Sequence, residues 1–101
     1  MIVVTGTFKL TNASAAMQLQ QAAVTALTET RKEPGCITYE FSQLVDAGNT
    51  FRIYEEWESE AALKIHAGQP WVKAFLDALE LGGVSEMQVS KFEAGPKSPL
   101  D

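Results

Sequence analysis

The chain has 101 residues, a net charge of −5 and 46% hydrophobic residues, which suits one small globular domain with a modest core. It carries no basic run and no arginine-rich face, so the composition argues against a nucleic-acid or acidic-lipid partner. The single cysteine, Cys36, allows neither an internal disulfide nor a thiolate zinc cluster and suits a reducing cytoplasm.

The opening segment has no basic leader, and its apolar run is too short for a signal peptide or a membrane span, which points to a cytoplasmic protein. Residues 2–10, IVVTGTFKL, are rich in β-branched side chains and predict a strand, with Gly6 a bulge or close-approach point. Asn12 or Ser14 can cap the helix that follows, because their side-chain oxygens can accept the free amide hydrogens of its first turn. Ala16, Leu19, Ala23, Ala26 and Leu27 give that helix a core-facing stripe, and Pro34-Gly35 ends it. Residues 36–45 alternate Ile37, Tyr39 and Phe41 with polar residues, 46–49 read as a turn, and 51–58 complete an antiparallel hairpin. Ser59 can cap a short helix over 60–67, which Gly68 and Pro70 interrupt. Pro70 suits the first turn of another helical piece, ended by Gly82-Gly83, and 84–92 make the last strand.

This β-α-β-β-α-β order predicts an α+β, ferredoxin-like domain over 1–93, a four-stranded antiparallel sheet with helices on one face, and a loose tail over 94–101. Apolar residues occur at both parities of the strands: Ile2 and Val4 against Val3, Ile53 against Tyr54, Val89 against Phe92. A sheet with one wet face should alternate more cleanly, so a homodimer packed sheet to sheet is expected.

His66, the only histidine, shares the inward face of its helix with Ala62 and Leu63. A neutral imidazole in a partly apolar pocket can take a proton from a phenol or enol, whereas the plainer alternative is a core ring bonded to a backbone carbonyl. Glu55 and Glu56 point to opposite faces of their strand, so one of them faces inward and could orient the ring. Trp57, Trp71, Tyr39, Tyr54, Phe8 and Phe75 could line a slot for a flat ring. Trp57 and Phe75 suit the core, Tyr39 suits the dimer interface, and Trp71 and Tyr54 are better placed for a ligand. No metal-ligand spacing, nucleophile elbow, phosphate loop or dinucleotide fingerprint occurs, so neither a metal nor a nucleotide cofactor is expected.

EPGCITYEF followed by EEWESEAALKIHAGQPWVKAF resembles the antibiotic biosynthesis monooxygenase family of dimeric α+β-barrel proteins. The matching positions are Pro34, Gly35, Cys36, Tyr39, Glu40, Glu55, Trp57, Ala61 or Ala62, His66, Pro70 and Phe75. The haem-degrading branch is similar in fold, but its asparagine, tryptophan and histidine positions fall here near Gly6 or Thr7, His66 and Leu76, which disfavours haem chemistry. Many quinol-monooxygenase relatives carry a histidine where Trp71 stands. The resemblance implies a cofactor-independent monooxygenase acting with dioxygen on a small quinol, phenol or polyketide-like ring. In that reading His66 is the catalytic base, Tyr54 and Glu56 orient it or the substrate, and Trp71, Phe8 and Tyr39 contact the ring. The alternatives are a non-catalytic dimer that binds a small hydrophobic molecule, and an isomerase or lyase acting on a small carbonyl compound.

Overall fold

A computed structural model describes all residues, 1–101. The β-branched run Ile2–Leu10 forms β1, which lies inside the sheet rather than at an edge. It pairs antiparallel with β3 (Ala47–Trp57) on one side and β4 (Val84–Glu93) on the other, and β2 (Cys36–Leu44) completes the order β2-β3-β1-β4. Three helices join the strands: α1 (Ala16–Thr30), α2 (Glu60–Ala67) and α3 (Pro70–Leu81). The topology is the ferredoxin-like α+β arrangement that the element order predicts.

The caps explain where the helices begin. Asn12 accepts from the Ser14 amide and starts a single 3-10 turn, Ala13–Ala15, ahead of α1. The Ser59 hydroxyl accepts from the Ala62 amide at 3.1 Å and starts α2. Pro70, at the first turn of α3, leaves no amide hydrogen unpaired there.

Register decides which side chains meet the helices. Ile2 pairs with Trp57, Val4 with Glu55 and Phe8 with Phe51, so these point to one face while Val3, Thr5, Arg52, Tyr54 and Glu56 point to the other. On the helix side Phe8, Ala26, Ile53, Phe75 and Leu79 form one buried cluster, and Ile2, Tyr39 and Trp57 form a second at the other end of the sheet. Complete burial of a side chain such as Leu79 contributes about 2 kcal/mol. The helix-free face holds Val3, Tyr54 and Phe92 amid Thr5, Thr7, Thr38, Ser42 and Arg52, and is more polar than the strand pattern implies.

Several local expectations are corrected. The hairpin turn is Val45-Asp46 rather than 46–49, because Leu44 pairs with Ala47. The ladder then resumes only at Gln43 with Phe51, leaving Gly48–Thr50 as a bulge on β3. Ile37 sits at a second irregularity, between Cys36 and Thr38, and is exposed instead of sharing the face of Tyr39 and Phe41. Ala16 is exposed, so the core stripe of α1 begins at Leu19. The tail is tied down at its start: Ala94 and Met1 exchange hydrogen bonds, and Lys97 reaches Glu56 at 2.7 Å. Gly6 does mark a close approach, since a Cβ there would lie 2.0 Å from the Gln88 carbonyl oxygen of β4.

Candidate functional site

Ala62 and Leu63 pack α2 onto the second cluster, and one turn later the same face carries His66 beneath the helix, 5% exposed. Its Nδ1 lies 2.8 Å from Glu33 Oε2, in the loop after α1, and the Trp71 indole N–H donates to that same oxygen at 3.1 Å. The other ring nitrogen, Nε2, faces Glu55 Oε1 at 3.9 Å, and that oxygen accepts from the Trp57 indole at 2.9 Å. The imidazole also lies 4.6 Å from the Trp57 ring and meets the Tyr39 ring edge-on at 5.2 Å, between centroids.

The electrostatics of this cluster hold protons in place. Burial pushes the Glu55 carboxyl above its ordinary value, and Glu33 adds to the rise against the Trp57 hydrogen bond and His66. Burial, with the charge of Glu55, likewise raises the Tyr39 phenol, and burial with Glu33 and Glu55 raises the Cys36 thiol. Neither phenol nor thiol is set up to ionise near neutrality. Glu33 Oε1 and Thr30 Oγ1 are buried with no hydrogen-bond partner. No three His, Cys, Asp or Glu side chains converge as a metal-binding group.

The residues singled out in the sequence fall into three places. His66, Tyr39 and Trp71 come together, but Tyr39 is 3% exposed inside its own subunit rather than at an open sheet face. Tyr54 and Glu56 lie on the opposite face of the sheet and cannot orient His66; strand alternation gives that place to Glu55. Glu56 instead accepts from Thr38 and Tyr54, at 2.6 Å each, and from Lys97. Burial alone would raise its carboxyl, yet the bonds from Lys97, Thr38 and Tyr54 outweigh it and bring the group down to about 2. Phe8 belongs to the first core cluster, stacked on Phe51 at 5.7 Å. Glu33 was missed: its one signal was an acidic residue beside the Pro34-Gly35 break, on a loop whose direction local pattern does not specify.

His66 lines none of the five principal hollows of the surface. The largest, about 920 Å³, lies at the other end of the sheet between the start of α1 and the bulged β2–β3 hairpin. Leu10, Leu19, Ala23 and Phe51 give it an apolar wall, and Gln20, Gln43 and Asn49 are among its polar lining. Gln43 spends an amide hydrogen on the Gly48 carbonyl, whereas the NH2 groups of Gln20 and Asn49 bond nothing else in the protein. No Asp, Glu, His, Lys, Arg, Cys or Tyr lines this cleft.

The same architecture is found in known proteins. A candidate antibiotic biosynthesis monooxygenase from Deinococcus radiodurans is 30% identical, with a TM-score of 0.87 over 100% of this chain and 99% of that one. A conserved protein from Methanosarcina mazei shares the fold at 21% identity, with a TM-score of 0.82 over 93% and 92% of the two chains. An uncharacterised Synechocystis protein is 36% identical over 53 residues, a match spanning 52% of this chain and 36% of that relative's length. No helix is long and apolar enough to cross a membrane. The model of the antibiotic biosynthesis monooxygenase family matches residues 1–78, and the chain belongs to that family.

Proposed function

We propose that the protein oxidises a small electron-rich aromatic compound with dioxygen, using neither flavin nor metal, and that the ring sits in the cleft between α1 and the β2–β3 hairpin. The observation that carries this reading is the cleft itself. Its volume lies within the range of small-molecule sites, and its wall pairs apolar side chains with a few amides. Phe51 offers a face for stacking, backed by Phe8. Family membership supports the reaction class.

The chemistry needs little from the protein. An ionised ring hydroxyl makes the aromatic rich enough to pass electrons to dioxygen. One oxygen atom then enters the ring and the other leaves as water with two substrate hydrogens, so that RH2 and O2 become RO and H2O. The protein's part is to exclude water and to donate hydrogen bonds to the anion. In this reading His66, enclosed by Glu33, Trp57 and Tyr39, fastens α2 to the sheet and does not touch the ring. An isomerase or lyase would need a proton shuttle at the ring, and the cleft lining supplies none. The exposure of Phe92, 52% on the helix-free face, supports a second copy of the chain there.

Oxygen uptake with a panel of hydroquinones, naphthalenediols and their acyl-substituted derivatives is the test. The expected result is one O2 consumed per ring oxidised without added flavin or metal, and at least a tenfold lower rate in Ala16→Trp, which fills the cleft from an exposed position. The absence of an ionisable side chain in the cleft also favours a second reading, a carrier that binds such rings without turning them over. Ring binding without oxygen uptake would establish the carrier and overturn the oxygenase.

A further inference from the structure

Resting on the oxidation reading, we infer that the cleft takes its ring as an anion formed before binding, which makes the substrate an acidic hydroxyaromatic whose ring hydroxyl is conjugated with a carbonyl. Oxidation by dioxygen without a cofactor starts from an ionised ring, so something must accept the hydroxyl proton. Among the twelve residues lining the cleft there is no carboxylate, imidazole, amine, thiol or phenol to accept it. The one histidine lies at the far end of the sheet with Nδ1 committed to Glu33 and Nε2 turned to Glu55, and it lines no hollow at the cleft. The proton is therefore lost to water beforehand, and only a hydroxyl that is itself acidic near neutral pH loses it to a useful extent.

The cleft is equipped for the product of that ionisation. Asn49 and Gln20 line it with NH2 groups that have no protein acceptor. A neutral donor bonds an oxyanion more strongly than a neutral hydroxyl, and one such bond favours the anion by about tenfold. An amide keeps its donors at every working pH and cannot return a proton to the bound ring. The net charge of −5 opposes the approach of an anion, but at physiological salt that repulsion is screened beyond roughly 8 Å, which leaves the contacts in the cleft to decide.

Two naphthalene-sized probes that do not require turnover test the inference: 2-hydroxy-1,4-naphthoquinone, ionised at pH 7, and 1-naphthol, neutral there. Titrated under nitrogen and followed by calorimetry, the ionised probe should bind about tenfold more tightly. Its affinity should fall as the pH is taken below its own pKa. The exposed double variant Gln20→Leu, Asn49→Leu should erase the difference, and Ala16→Trp should weaken both probes, with circular dichroism confirming the fold of each variant. Equal or tighter binding of 1-naphthol, a preference that survives the double variant, or no binding of either probe would overturn the inference. Failure of the oxidation reading is separate: no ring of the panel, the acyl-substituted ones included, supports oxygen uptake, yet the anion preference persists.

Discussion

Removing the imidazole of His66 would leave Glu33 Oε2 with one indole donor and Glu33 Oε1 with none, in a place water does not reach. The substitution both opens a space in the packing and leaves a buried oxygen short of a hydrogen bond, so His66→Ala should lose about 3 kcal/mol of stability, read as a fall in the urea midpoint. An unchanged midpoint would show that the network does not fasten α2. Glu56 gives a pH dependence of definite sign. Its carboxyl is held at about 2 in the folded chain against an ordinary 4.5, so its contribution is complete above pH 4.5 and is lost as the pH falls towards 2. The shift corresponds to about 3 kcal/mol at most, and salt screens part of it because the Lys97 side chain is 60% exposed. Urea unfolding between pH 5 and pH 2 should show a steeper loss for the natural protein than for Glu56→Gln, and parallel curves would refute it. The burial of His66 was legible from its spacing to Ala62 and Leu63. Its bond to Glu33 was not, because thirty-three residues of chain and a loop separate the two.

At the scale of elements, the positions whose physics is local were readable. Ser59 and Pro70 start α2 and α3 as their chemistry requires, and the strand alternation of Phe51, Ile53 and Trp57 points to the helices. Position 46–49 was misread because turn-forming composition marks where a chain can bend, while pairing decides where it does. Leu44 opposite Ala47 closes a two-residue turn and displaces the irregularity into Gly48–Thr50. Tyr39 was assigned to an interface because alternation gives two faces without saying which one the helices cover. Neither the bulge nor the cleft it borders has a periodic signature, since both arise from how α1 and the hairpin sit over the same end of the sheet.

As a whole the subunit is a slab, 19 Å across its thinnest direction, with a radius of gyration of 14.0 Å. A compact chain of this length would have a radius of about 13 Å, so the layers are spread rather than stacked. One sheet face is roofed by helices, and the other carries no helix and leaves Phe92 about half exposed, with Lys97 of the tail reaching Glu56 there. Light scattering at micromolar concentration should therefore give about twice the 11.0 kDa mass of one chain, and a stable single subunit would remove the reason for placing a second copy on that face. The bulge at Gly48–Thr50 carries one more implication. It borders the cleft but belongs to neither buried cluster, so insertions or replacements there can reshape the hollow without disturbing what keeps the chain folded.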